Sequence, residues 1–105
     1  MQVQIHTDHH IEGTEAMGKW VSASVKDALA RFSGQISRVE VHLSDESGGK
    51  KTSPENKQCL LEARLEGHPP LAVKHHAANL NQALNGAAEK LVRLIENTLG
   101  RTARV

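Results

Sequence analysis

A chain of 105 residues, of which 38% are hydrophobic, is long enough to fold around one modest core but not two. No apolar stretch approaches the roughly 20 residues that cross a bilayer, and the N-terminus MQVQIHTDHH lacks the charged start and apolar run of a signal peptide. Thirteen basic and twelve acidic side chains leave a net charge of +1, too small to demand a nucleic-acid partner. We expect one domain, residues 1–105, without a membrane partner.

The first predicted elements are a strand at residues 2–6, where apolar residues alternate, and a helix at 15–32, where they recur at helical spacing. Thr14 is a favourable N-cap and Gly34 is a plausible stop for this helix. The apolar stripe of the helix consists of Met17, Trp20, Val21, Ser24, Val25, Ala28, Leu29 and Phe32.

Three further strands are predicted at residues 36–44, 58–66 and 70–75, each from alternating apolar positions. Residues 45–57, DESGGKKTSPENK, are polar and rich in turn formers, so they are expected to form a mobile loop between two antiparallel strands. Proline at the start of the last strand suits an edge position in the sheet.

The final helix is expected to begin after Asn79 as its cap and to end at Gly100, which leaves residues 101–105 as a frayed tail. Gly86 should weaken its middle by roughly 1 kcal/mol relative to Ala. The apolar stripe of this helix consists of Leu80, Ala83, Leu84, Ala87, Ala88, Leu91, Ile95 and Leu99.

The resulting order β-α-β-β-β-α predicts an α+β fold, a two-layer βαβββα sandwich with a four-stranded sheet. Each helix has a single apolar stripe, so both helices should pack on the same face of the sheet. The opposite face should be solvated because its side chains are polar, namely Gln2, Gln4, His6, Glu40, His42, Glu62, Arg64 and Lys74.

Aromatic side chains are nearly absent, because the chain contains one Trp, one Phe and no Tyr. Trp20 and Phe32 both lie on the predicted apolar stripe of the first helix. Proteins that recognise single-stranded RNA stack bases on exposed aromatic rings. Any RNA partner is therefore expected to be recognised through its backbone and shape.

Three segments stand out beside the element order, namely VQIH, IEGTEAMGKWVSASVKDALARF and NLNQALNGAAEKLVRLIENTL. Together they resemble the ribosome hibernation-promoting factor and ribosome-associated inhibitor family. The last is similar to the final helix of that family, in which an Ala-Ile/Leu-Asn/Asp segment precedes Lys-Leu-x-Arg. The matching positions here are Ala83-Leu84-Asn85 and Lys90-Leu91-Val92-Arg93.

The resemblance implies a cytoplasmic domain related in shape to double-stranded-RNA-binding domains. It also implies binding to the small ribosomal subunit near the decoding centre, where messenger and transfer RNA sites would be blocked. The chain ends at Val105, as in short members that consist of this domain alone. It departs from the family at Asn79, where an acidic residue is common, and at Arg101, where the family usually has a Lys-rich end.

Candidate RNA contacts lie on one exposed face of the last helix, because Lys90, Arg93, Asn97 and Arg101 follow spacings of three, four and four. Such a stripe could neutralise phosphates across a groove; alternatively it is a solvated face in which Glu89 pairs with Arg93. The patch could be extended by Lys19, Lys26, Arg31 and Lys74, and the long loop adds Lys50, Lys51 and Lys57.

No catalytic residue, cofactor, metal site or small-molecule substrate is predicted. The segment HTDHH contains metal-ligand types at His6, Asp8, His9 and His10, but no Cys pair or helical His spacing supports a site. Cys59 alternates with apolar residues, which indicates a small buried hydrophobic side chain rather than a nucleophile. As a lone cysteine it also favours a reducing location.

Two functions from different classes follow. The first is a non-enzymatic, translation-silencing factor that binds small-subunit ribosomal RNA through phosphate and shape contacts. The alternative is a diverged domain of the same fold that no longer binds ribosomes and acts as a protein-interaction or stress-response module. Self-association is left open, and seven histidines, which would raise the net charge to +8 if all were protonated, motivate a pH-sensing hypothesis.

Overall fold

The structure is a computed structural model that describes residues 1–46 and 56–103, with the side chains of residues 101–103 outside the description. The elements follow the predicted order β-α-β-β-β-α. They are β1 (Gln2–Thr7), α1 (Glu15–Ala28), β2 (Ile36–Asp45), β3 (Lys57–Leu65), β4 (Leu71–Ala77) and α2 (Leu80–Ala103). Neither helix of the described ranges is both long and apolar enough to cross a membrane.

The four strands form one mixed sheet in the order β1-β2-β3-β4. β1 and β2 are parallel, and α1 provides the crossover between them. The β2–β3 and β3–β4 pairs are antiparallel. This register places Val3, Val39 and Ala63 in one row across the covered face of the sheet.

Both helices cover the same face of the sheet, as the sequence predicts. α2 packs on β3 and β4, and α1 packs on β1 and against α2. The core consists of alternate strand positions and one stripe of each helix. Its fully buried members include Val21, Val25, Leu29, Val39, Val41, Leu61, Ala83, Leu91 and Ile95.

The predicted helix N-caps are confirmed. The Thr14 hydroxyl accepts a hydrogen bond from the Met17 amide at 3.1 Å. The Asn79 side-chain oxygen accepts one from the Gln82 amide at 2.9 Å. Each bond satisfies one of the amide donors that a helix leaves free in its first turn.

The first helix is shorter than predicted, and its stop at Gly34 is wrong. α1 ends at Ala28, Leu29 has non-helical angles (φ −105°, ψ 14°), and a 3₁₀ turn follows at Ala30–Phe32. The tighter turn still buries Phe32 at 7% exposure, so the apolar spacing resembles a continued helix although the backbone changes.

Trp20 is a second correction, because its side chain is 38% exposed rather than buried in the stripe. Helical geometry places it about 100° around the axis from Val21, at the edge of the buried face. The prediction treated every apolar residue near the stripe as core. One aromatic ring is therefore accessible after all.

The predicted end of the second helix is also wrong. α2 continues through Gly100 to Ala103, so residues 101–103 are helical rather than a frayed tail. Within the described residues, Gly67 alone has a positive φ, at 78°, and Gly100 stays helical. A glycine is tolerated inside a helix at a cost of about 1 kcal/mol, so it does not by itself end one.

The predicted loop at 45–57 is too long at both ends, because Asp45 and Lys57 are paired strand residues. Their side chains form an ion pair, with Lys57 Nζ 2.9 Å from a carboxylate oxygen of Asp45. Residues 47–55 lie outside the described part of the chain, together with the loop lysines Lys50 and Lys51. β4 likewise extends beyond the predicted 70–75 to Ala77.

Candidate nucleic-acid interface

The structure brings two of the predicted cations together where α2 crosses β4. The Lys90 ammonium donates a hydrogen bond to the backbone oxygen of Lys74 at 2.9 Å. Lys74 is two strands away from His42 in the same cross-strand row. The contact holds the Lys90 ammonium at the β4 edge, beside the backbone of Lys74.

Arg93 lies one helical turn beyond Lys90 and is exposed on α2. It borders a groove between the two helices that is also lined by Ala28, Asn85, Ala88, Glu89, Val92 and Glu96. Within the described residues, Lys74, Lys90 and Arg93 form no ion pair with a carboxylate. These three cations are therefore open to an external anion.

Two other predicted cations already have carboxylate partners. Lys19 Nζ lies 3.4 Å from Glu15 within α1, and an Arg31 guanidinium nitrogen lies 2.8 Å from Glu96 of α2. The Arg31 guanidinium also lies over the Phe32 ring, 4.8 Å from its centroid. The Arg31–Glu96 pair joins the end of α1 to α2, which makes Arg31 a structural contact as well as a candidate RNA contact.

Lys26 lies apart from the α2 cations. It lines a shallow depression between α1 and β1 together with Val3, Ile5 and Ser22. The depression is at the β1 edge of the sheet, whereas Lys74 and Lys90 are at the β4 edge. The seven predicted residues therefore do not form a single patch.

The C-terminal end of the predicted stripe is only partly described. The backbone of Arg101 belongs to α2, which is consistent with the helical spacing, but its side chain lies outside the described atoms. Asn97 is exposed on the same helix. The position of the Arg101 charge relative to Lys90 and Arg93 stays a prediction.

Cys59 is buried as predicted, with no exposed surface. Burial raises the pKa of its thiol to about 12, because a thiolate would be desolvated among apolar side chains. A nucleophilic cysteine needs a lowered pKa and access to substrate. Cys59 is therefore a packing residue.

The open face of the sheet holds an arrangement that the sequence analysis did not predict. His6 from β1 and His42 from β2 are direct cross-strand neighbours, and Glu40 lies two residues before His42. Their side chains meet above the sheet. The three side chains are close together because β1 and β2 pair in parallel in this register. The sequence showed only that each of the three positions faces the polar side of its strand.

Comparison with known proteins identifies the fold and the family. The family described as "Sigma 54 modulation protein / S30EA ribosomal protein" matches residues 3–102. No curated protein sequence matches the chain.

Two solved structures share the architecture. The Protein Y N-terminal domain from Thermus thermophilus has a TM-score of 0.73 at 20% identity, covering 93% of this chain and 99% of that domain. A ribosomal subunit interface protein from Coxiella burnetii has a TM-score of 0.67 at 13% identity, with both chains fully covered. The α+β fold and the resemblance stated from the sequence are thereby confirmed. The chain belongs to the family of ribosome-associated factors that is described as sigma 54 modulation protein and S30EA ribosomal protein.

Proposed function

We propose that this protein binds the small ribosomal subunit through phosphate contacts to its RNA and silences translation by occupying the decoding region. The observation that carries the proposal is the family match over residues 3–102. One relative in fold is itself named as a ribosomal subunit interface protein. The protein acts by steric occupation and without chemistry, in the cytoplasm where ribosomes are found.

The binding surface that we propose is centred on Lys74, Lys90 and Arg93. These cations lie at one border of the domain and have no carboxylate partner among the described residues. Each neutralised phosphate releases condensed counterions, so a few free cations give binding that depends on salt. Arg101 and Arg31 would extend the surface along the helices, and Lys26 and Lys19 would make a separate contact beside β1. Lys19 and Arg31 would each exchange a carboxylate for a phosphate.

Recognition through the backbone and shape of RNA is supported by the composition of the domain. The chain has no Tyr, and Phe32 is buried. Trp20 alone among the large hydrophobic side chains described is exposed, and one ring is too few for a platform that stacks successive bases. Phosphate and sugar contacts position a protein on RNA without such a platform.

The test is sedimentation of the untagged protein with purified small subunits at low and high salt. The proposal predicts co-sedimentation at low salt that weakens steeply as the salt concentration rises. Binding of the same strength at both salt concentrations would contradict a phosphate-based interface. Absence of co-sedimentation at low salt would overturn the proposal and favour the alternative of a protein-interaction module.

A further inference from the structure

The open face of the sheet carries two imidazoles and a carboxylate within reach of one another. Because β1 and β2 are parallel, His6 lies directly opposite His42 and Gln4 lies opposite Glu40. Residues two apart on a strand point to the same side, so Glu40 and His42 share the open face with His6. Two strands therefore present a triangle of potential metal ligands.

The distances within this triangle are short. The rings of His6 and His42 stack with centroids 4.7 Å apart and planes inclined by 14°. His6 Nε2 lies 3.3 Å from Glu40 Oε1. One ligand atom from each of the three residues lies within 4.8 Å of the other two.

One of these separations corresponds to an edge of a zinc coordination sphere. Two ligands at 2.0–2.1 Å from Zn²⁺ in tetrahedral geometry are about 3.3 Å apart. The His6–Glu40 distance already has this value. The His42 nitrogen would need to approach by about 1.5 Å or less, which a rotation of an exposed imidazole provides.

Arg38 orients the carboxylate of the triangle. Its guanidinium lies 3.3 Å from Glu40 Oε2, the oxygen that does not face His6. Glu40 therefore keeps Oε1 directed at the histidines while the other oxygen is held by a neighbouring cation. Ligating carboxylates in metal sites are commonly held by such outer partners.

The cross-strand row that contains His6 and His42 continues through Leu60 to Lys74. Leu60 of β3 is the partner of His42, and Lys74 of β4 is the partner of Leu60. Neighbouring strands are about 4.8 Å apart, so Lys74 lies roughly 10 Å from the His42 backbone. Its charge is too distant to occupy the position between the imidazoles.

We propose that His6, Glu40 and His42 form a binding site for a divalent late transition metal such as Zn²⁺. Two imidazoles and one carboxylate favour this class over Mg²⁺ or Ca²⁺, which prefer oxygen ligands. The side chains of His6 and Glu40 are 49% and 20% exposed, so solvent can supply the fourth ligand. The site lies on the open face at the β1–β2 pair, whereas the proposed RNA surface is centred on α2 and the β4 edge, with Lys74 roughly 10 Å away in the same open-face row.

The sequence analysis assigned no metal site because it considered only local clusters, HTDHH and the pair His75-His76. In the structure His9 and His10 contact each other, with ring centroids 3.9 Å apart, and neither belongs to the group that contains His6. The other two proposed ligands, Glu40 and His42, lie 34 and 36 residues after His6 in the chain, and the parallel pairing of β1 with β2 brings them beside it. Local spacing could not reveal them.

The experiment is equilibrium dialysis of the untagged full chain against Zn²⁺, with the visible absorption of Co²⁺ as a second readout. The wild-type protein should bind one Zn²⁺ at this site. The double variant His6→Ala, His42→Ala should lose about tenfold or more in affinity. The matched control His9→Ala, His10→Ala removes the same number of histidines and should retain the wild-type affinity.

A carboxylate variant and a folding control complete the experiment. The variant Glu40→Gln keeps the size of the side chain and should also weaken Zn²⁺ binding about tenfold, and metal-free circular dichroism melts check that each variant folds. Failure of the wild-type protein to bind Zn²⁺ would overturn the proposal. So would equal affinities of the wild-type protein and the His6→Ala, His42→Ala variant, or a loss confined to the His9→Ala, His10→Ala variant.

Discussion

The two faces of the sheet are built from neighbouring residues of the same strands and have opposite properties. On β3, Leu61 is fully buried under the helices, whereas Leu60 points to the open side and is only half-buried. The centre of the covered face is an apolar layer, with His75 half-buried on β4, and the open face carries histidines, carboxylates, arginines and Lys74. The apolar positions in the sequence determine which side chains form the covered face. The strand register determines which polar side chains lie next to one another on the open face.

The largest expected effect tests this difference with two adjacent leucines. Leu61→Ala should lower the free energy of unfolding by about 2–5 kcal/mol, because it removes buried methylene groups and leaves a cavity. Leu60→Ala should lower it by about 1 kcal/mol or less, since the site is open to water. Urea unfolding of both variants measures the two values, and similar losses would contradict the assignment of the two faces.

A second prediction concerns the covered face where α2 approaches β4. An ideal Cβ at Gly86 would overlap the His75 ring. Gly86→Ala should therefore show a coupling of about 1–3 kcal/mol with His75, the range expected for overpacking. In the His75→Ala background the same change should instead stabilise the helix by about 1 kcal/mol.

This double-mutant cycle has a clear contrary result. If Gly86→Ala stabilises the protein equally with and without the His75 ring, the close contact does not constrain the helix. Thermal or urea unfolding of the four proteins gives the coupling directly. Helix propensity alone would instead predict that Gly86→Ala stabilises the protein in both backgrounds.

The third prediction uses the buried thiol of the covered face. The pKa of Cys59 rises from 9.0 in the unfolded chain to about 12 in the folded one. Above pH 9 the unfolded chain therefore releases a proton that the folded chain retains. Stability that is fully present below pH 9 is then lost at about 1.4 kcal/mol per pH unit as the pH rises towards 12.

The matched control for this pH effect is Cys59→Ala, in which the thiol is absent and every other ionisable group is kept. Urea unfolding at pH 8 and pH 10 should show a larger loss for the wild-type protein than for the variant, by about 1.4 kcal/mol. Equal losses in the two proteins would show that the thiol does not ionise on unfolding in this range.

The smallest effect is expected outside the core, at the ion pair between Arg31 and Glu96. Its side chains are 60% and 49% exposed, so water screens the 2.8 Å contact. Glu96→Gln should lower stability by about 1 kcal/mol or less, and high salt should reduce the difference. A loss as large as that of Leu61→Ala would mean that the pair holds the two helices together.

The covered face was largely predictable from the sequence. Strand alternation and helical spacing identify which side chains are buried, and Asn79 and Thr14 mark where the helices begin. The helix ends were less predictable, because Gly34 and Gly100 are compatible with several backbone conformations. Apolar spacing also could not distinguish Trp20 at the edge of the stripe from residues at its centre.

The candidate sites were only partly predictable, for a different reason. Helical spacing correctly placed Lys90 and Arg93 on one exposed face of α2. It could not show that Lys90 bonds to the Lys74 backbone or that Arg31 is paired with Glu96. Those contacts, like the His6–His42 stacking, depend on how distant segments pack.

The central proposal is that the cations of α2 and the β4 edge, represented by Lys90, carry ribosome binding, whereas Arg64 in the interior of the open face does not. Lys90→Glu and Arg64→Glu test it as a matched pair, because each reverses one exposed charge and the two side chains lie on different surfaces. Co-sedimentation with small subunits over a salt series should show weaker binding and a salt slope reduced by about 1 for Lys90→Glu. Arg64→Glu should bind like the wild-type protein. Equal weakening by both variants, or wild-type binding by Lys90→Glu, would contradict the proposal.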